Sequence, residues 1–315
     1  MKLSVLSFAC AAALAISGLA SAETVTRGMA EAGMSPDRGN HGDAANKDPN
    51  ELNGDHVKYA GRPGSRQNDP IAYHNGPILH GPKVYYIWYG NWTGNTATTI
   101  LTNFVQNLGG SAYFNINTTY YDIVGSTKTF YNNILTYGGS TNTSSSTYGT
   151  SLSDSQIQSV VSDAIASASL PKDTNAVYLV LTSADVTASS GFCTQYCGWH
   201  THGTISGSDI KYGFVGNADR CPSSCAAQSA SSPNNNIGAD GMASVIAHEI
   251  EETVTDPDLN GWYNGNWENG DKCAWTFGTE STASNGSKYN VTLGGSQYLI
   301  QQNWIAPAGG CAMHL

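Results

Sequence analysis

An α/β (α+β) fold, one mixed sheet with helices packed on it, is predicted by three stretches of the sequence. Lys83-Val-Tyr-Tyr-Ile-Trp-Tyr89 and Ala176-Val-Tyr-Leu-Val-Leu-Thr182 are unbroken β-branched and aromatic runs flanked by turn residues. That is the pattern of strands covered on both faces. Between them, Ser153 to Ala168 sets Ile157, Val160, Val161, Ala164, Ile165 and Ala168 on one stripe behind a Ser153/Gln156 capping box. That is the pattern of a helix laid against a sheet.

Taken in order, the chain opens with an export signal. Lys2 supplies the charged start, Leu3 to Leu19 is mostly apolar, and Ala20-Ser21-Ala22 is a small-residue cleavage site. The apolar run is too short for a membrane span, and no later run approaches one. Residues 23–70 are rich in Gly, Asp, Asn and Pro with almost no apolar pattern, so they are read as a flexible segment. A single folded unit is expected over residues 71–315. Its first buried strand is Lys83 to Tyr89, followed by a helix from Thr98 to Leu108 that stops at Gly109-Gly110. Tyr120 to Gly125 and Thr129 to Leu135 are weaker strand candidates, and Gly138 to Gly149 reads as a Ser/Thr/Asn/Gly loop. After the capped helix and the second buried strand come a cysteine-rich loop, Phe192 to Gly203, and a short strand, Lys211 to Gly216. Another loop leads to a helix over Asp240 to Asp258 that stops at Pro257. Tyr289 to Leu293 and Gln297 to Gln301 read as a hairpin about Gly294-Gly295. Zinc peptidase domains run in a similar order, an early strand and helix leading to a helix that carries the metal motif.

Composition narrows the function. Of the 315 residues 12% are charged, against roughly a quarter in ordinary globular domains. The formal charge is −10 and no basic run occurs, so neither nucleic acid nor an anionic membrane is an expected partner. The chain has seven cysteines, of which Cys10 lies in the export signal. The other six, Cys193, Cys197, Cys221, Cys225, Cys273 and Cys311, form an even set in an exported chain, so a disulfide-stapled fold is expected. The pairing is open. A thiolate zinc site from the two Cys-x-x-x-Cys pairs is the rival, disfavoured by an oxidising compartment.

The chemistry centres on the helix over Asp240 to Asp258. His248 and Glu252 stand four residues apart and share a face, so both can grip one cation. Glu249 lies beside the first ligand and is placed to act as general base on a metal-activated water. The pattern is that of His-Glu-x-x-His zinc peptidases with glutamate as the second ligand. Zinc is expected, and the harder donor set admits other divalent ions. A third ligand is needed. Glu268 in the loop anchored by Cys273 is preferred and Asp258, ten residues after His248, is the alternative, with Asp256 and Asp271 weaker. His200 in Cys197-Gly-Trp-His-Thr-His-Gly203 is a candidate ligand or transition-state donor, though a structural hydrogen-bonding role is its default. Against all this stands the reading of Glu249, Glu251 and Glu252 as a solvated acidic face. No Gly-x-Ser-x-Gly elbow, phosphate loop or dinucleotide fingerprint is present. Trp262, Tyr263, Trp267 and Trp275 near Glu268 and Asp271 would suit a sugar groove, but no acid–nucleophile pair stands out.

Several of these stretches together resemble a known family. Gly76-Pro-Ile-Leu-His-Gly81 leading into Val84-Tyr-Tyr-Ile-Trp-Tyr-Gly90, then Phe192-Cys-x-x-x-Cys-Gly-x-His200, Cys221-Pro-x-x-Cys225, Asp240-Gly-Met242 and Thr253-Val-Thr-Asp-Pro257 carry the likeness. With the closing Cys273 and Cys311 they resemble the EXORDIUM, or phosphate-induced protein 1, family from about Tyr73 onward. The chain is similar to microbial-type members that bear a His-Glu-x-x-Glu helix. The resemblance implies an extracellular or cell-wall-associated protein of shared fold, without a defined reaction. Two expectations follow. The first is a secreted or periplasmic metal-dependent hydrolase, zinc metallopeptidase-like and monomeric, acting on protein, peptide or cell-wall material. The second is a non-catalytic extracellular protein of the EXORDIUM type.

Overall fold

The computed structural model describes residues 69–264 and 267–315. The export signal expected at 1–22, and all but the last two residues of the segment at 23–70, lie outside them. A five-stranded mixed sheet forms the centre, built from β1 (Lys83–Tyr89), β2 (Thr136–Thr143), β3 (Ala176–Thr182), β4 (Gly198–Ile205) and β5 (Ser208–Gly216) in the order β2-β1-β3-β5-β4. β2, β1, β3 and β5 are parallel, and β4 runs antiparallel to β5 at the edge. Every residue of β3 and all but the first of β1 are buried, as expected for inner strands.

Four helices bear on the site. They are α1 (Ala97–Gln106), α2 (Asp154–Ala166), α3 (Ile237–Thr255) and the single turn α4 (Asn269–Lys272). α2 begins as the sequence predicts: Ser153 accepts from the Gln156 amide while the Gln156 side chain accepts from the Ser153 amide. Such a cap contributes about 1 kcal/mol. α3 starts three residues earlier than its periodicity suggests, because Asn236 caps it by accepting from the Ala239 amide. It packs against β4, β5, α1 and α4, and it is buried on every side. A helix enclosed all round is normally apolar. This one encloses three glutamates, so the solvated-face reading of Glu249, Glu251 and Glu252 is overturned: all are at most 1% exposed.

Two further expectations are corrected. Gly138 to Gly149 is not a loop throughout, since Thr136–Thr143 is the parallel edge strand β2. The polar run hides it because an edge strand owes its place to backbone pairing with β1 and needs no apolar face. The cysteine-rich loop likewise contains β4, whose register sets His200 opposite Gly213 and His202 opposite Lys211. The weak strands near 120–135 form a hairpin, Tyr121–Val124 with Thr127–Phe130. The C-terminal hairpin pairs Val291–Leu293 with Ser296–Tyr298 across Gly294 and Gly295, both at positive φ.

Three disulfides close the structure: Cys193–Cys221, Cys197–Cys225 and Cys273–Cys311. The first two clip the entry to β4 onto the segment leading to α3, and they remove the thiolates that the rival zinc site needed. The third ties the turn after α4 to the C-terminal tail. Bonds of this kind belong to chains that mature in an oxidising compartment. No described helix is long and apolar enough to cross a membrane.

Candidate metal centre

Gly198, His200 and His202 alternate along β4 and therefore share one face of the edge strand. Gly198 lets α3 approach. A Cβ there would meet Val245 Cγ1 at 2.5 Å and Glu249 Oε1 at 3.0 Å. Two residues on, His200 Nδ1 lies 3.4 Å from Glu249 Oε2 and 3.5 Å from Glu252 Oε2, and its Nε2 lies 3.5 Å from Glu268 Oε1. One turn back along α3, His248 Nε2 lies 3.0 Å from Glu252 Oε1 and 3.6 Å from Asp271 Oδ1. Glu252 thus presents one oxygen to each histidine.

The turn α4 brings in the remaining carboxylates. Its Asp271 amide donates to Glu252 Oε1 at 2.9 Å, and Asp271 Oδ2 accepts from the Glu268 amide at 3.2 Å. Gly270 makes this approach possible. A Cβ on it would stand 2.9 Å from Glu252 Oε1 and 3.0 Å from the His248 ring. Glu251 points elsewhere, accepting from the Tyr113 hydroxyl at 3.0 Å.

The sequence-predicted residues therefore divide. His248, Glu252, Glu249, His200 and Glu268 come together, and Asp271, a weaker candidate in the sequence, completes the group around His248. Asp258 goes elsewhere. Its Oδ1 pairs with Lys211 Nζ at 2.9 Å, in a separate group with His202 and Asp209. α3 ends at Thr255, and the chain turns at Pro257 toward β5 instead of folding back under His248. The structure also adds Gly198 and Gly270, which a sequence shows only as two more glycines.

All of this lies in the interior: His200, His248, Glu249, Glu252 and Glu268 are between 0 and 4% exposed. Burial opposes a charged imidazole at His200, but Glu268, Glu249 and Glu252 outweigh it and hold its pKa well above the ordinary value. Burial also acts against ionised Glu252, yet His248 and His200 bring its pKa down to about 2. Burial dominates elsewhere, raising Glu268 and Glu251 well above the carboxylate range and Asp256 to about 6. Among the described residues no lysine or arginine reaches Glu252 or Glu268.

The spacing of these donors would suit a divalent cation. Charge-assisted hydrogen bonds are about 2.7–2.9 Å long, whereas four of the five histidine–carboxylate distances are 3.4–3.6 Å. Nitrogen and oxygen donors that share an ion at roughly 2.0–2.2 Å stand about 3–3.5 Å apart, close to the spacing found. His200 Nε2 and Glu268 Oε1, which face each other at 3.5 Å, are fully buried and form no hydrogen bond among the described residues. Buried polar atoms seldom go unsatisfied without a reason.

Residues 71–313 match the conserved region that defines the phosphate-induced protein 1 family. The chain belongs to this family. It is 34% identical over 281 residues to EXORDIUM-like 3 of Arabidopsis thaliana, covering 76% of this chain and 82% of that protein. It is 30% identical over 284 residues to EXORDIUM-like 5 of the same plant, covering 77% of each. PHOSPHATE-INDUCED 1 of Nicotiana tabacum is 29% identical over 229 residues, or 63% of this chain and 69% of that protein. No solved structure gives a significant match to this EXORDIUM-family chain.

Proposed function

We propose that this EXORDIUM-family chain is an exported, non-catalytic extracellular protein whose helix α3 is locked in place by a buried divalent cation. One observation carries the reading: His248, Glu252 and Asp271 bring three donor atoms within 4.8 Å of one another, all buried. Carboxylates in a medium of low dielectric must be protonated, paired or metal-bound. A cation on these donors would join α3 to α4 and so fasten the tail-linked turn to the core. Zinc suits a site with one imidazole and two carboxylates, and manganese or iron suits it as well. Burial is what favours a structural role, because a catalytic centre keeps a coordination position open to substrate. The three disulfides and the family membership support export to an extracellular or cell-wall setting.

The second reading is a metal-dependent hydrolase of the zinc-peptidase type. Glu249 follows His248 directly, and α3 packs against an antiparallel edge strand, β4, at the end of a mixed sheet. When bound, the cation would supply acidity to a water and polarise a carbonyl. Glu249 would take up the proton, and His200, 3.4 Å away, would stabilise the developing charge.

Elemental analysis of the purified protein, followed by assay of wild type and Glu249→Gln on a broad protein substrate, separates the readings. Bound metal in the wild type, with no hydrolysis by either protein, is the result expected. Hydrolysis abolished by Glu249→Gln with metal retained establishes the enzyme instead. A folded chain that takes up no divalent ion overturns both.

A further inference from the structure

We propose that the centre holds two divalent cations bridged by the carboxylate of Glu252. This rests on the reading that the cluster binds metal at all, and it changes the roles of Glu249 and His200 within it. The two oxygens of Glu252 are not equivalent. Oε1 lies 3.0 Å from His248 Nε2, while Oε2 lies 3.5 Å from His200 Nδ1. The two oxygens also belong to two distinct groups of donor atoms, one with His248 and Asp271 and one with His200 and Glu249. Glu252 divides them between histidines that come from different elements, α3 and β4.

Each half then has its own set of donors. His248, Glu252 Oε1 and Asp271 surround the first position; His200 Nδ1, Glu249 and Glu252 Oε2 surround the second. Each set has one imidazole and one carboxylate of its own, and Glu252 is common to both. Two ions held this way stand roughly 3.5–4 Å apart in bridged sites.

Glu268 takes a different part. A metal-bound histidine donates its other ring N–H to a carboxylate, which fixes the tautomer and the ring orientation. His200 Nε2 faces Glu268 Oε1 at 3.5 Å, and neither atom has a hydrogen bond among the described residues. Both side chains are more than nine-tenths buried. With Nδ1 committed to a cation, Nε2 must carry the proton, and Glu268 is its acceptor. Glu268 is thus a positioning residue for the second ion and not a ligand. Glu249, as a ligand, is no longer free to act as a base, so the two-cation centre also argues against single-metal peptidase chemistry.

The test is a titration of the chelator-stripped full chain with Mn2+, followed by stoichiometry and electron paramagnetic resonance. Two equivalents are expected in the wild type. The six-line signal of isolated Mn2+ should give way to an exchange-coupled spectrum as the second equivalent binds. His200→Gln should bind one equivalent and keep the six-line signal; His248→Gln should also lose one equivalent. Glu268→Gln should keep two equivalents but weaken the second roughly 10–100-fold, as loss of an orienting partner does. One equivalent in the wild type, unaffected by His200→Gln, overturns the two-cation centre and leaves the single site standing. No binding at all removes the single site too. Should a variant fail to fold, the wild-type count and spectrum decide by themselves.

Discussion

Three groups among the described residues set one histidine beside two aspartate or glutamate side chains, and one on the surface and one in the core differ in almost everything else. On the surface His202, Asp209 and Asp258 gather around Lys211, whose ammonium pairs with both aspartates. In the core His248, Glu252 and Asp271 gather at 3.0 to 3.6 Å, all buried. The surface group brings its own cation in the form of a lysine. Among the described residues the core group, at Glu252, is offset only by histidines. A donor set alone therefore does not define a metal site; what matters is whether the chain already supplies the positive charge. The carboxyl acidities follow the nearby positive charge: at Glu252 the histidines bring the pKa down to about 2 against burial. Burial raises Asp256, Glu251 and Glu268 in the core. At Asp209 burial acts the same way but is outweighed by Lys211 and His202, and the pKa falls.

The sharpest way to break this contrast is to remove the shared carboxylate. Glu252→Ala is expected to abolish cation binding and to cost about 3–5 kcal/mol in urea unfolding, because it strands two buried histidines. Asp258→Ala, its surface counterpart, should cost at most about 1 kcal/mol and leave the metal content unchanged. Next in size is Gly270→Ala, which forces a methyl against Glu252 and His248. We expect a loss of about 1–3 kcal/mol and weaker cation binding, seen by calorimetry.

A pH series tests the acidities. A carboxyl raised in the folded state binds protons that the unfolded chain has already released, so stability falls as pH rises past the unfolded value. The metal-free protein should therefore lose melting temperature from about pH 4 up through Asp256's value of about 6. Asp209, being lowered, works in the opposite sense, and what it contributes is lost only as pH falls below the ordinary aspartate range. A loaded protein should hold its melting temperature across the higher window, and a decline as steep as that of the stripped protein would count against a cation in the core. The smallest effect is Lys211→Met. Deprived of its ammonium, the surface group should gain weak affinity for a divalent ion, about millimolar, visible as one additional equivalent at high metal.

Much of this was legible in the residues. The i, i+4 spacing of His248 and Glu252 placed both on one face of a helix that does form, and β1 and β3 declared themselves by unbroken apolar runs. What stayed hidden has physical causes. β2 carries no apolar stripe because its place is set by backbone pairing, and β4 was masked by cysteines and glycines that suggested a loop. Periodicity shows which residues share a face and not what covers it, so the burial of three glutamates on α3 could not be read. The choice among Glu268, Asp258 and Asp271 turned on where the chain goes after Pro257. Spacing does not encode a direction, and the structure sends Asp258 to Lys211 and brings Asp271 to His248.

The bond between Cys273 and Cys311 has a bearing on timing. Cys273 follows Asp271 by two residues and is wholly buried, so oxidation of this pair fixes the peptide that delivers a donor to His248. Under the proposed reading, the cation would bind only once this pair has oxidised, in a compartment where disulfides form.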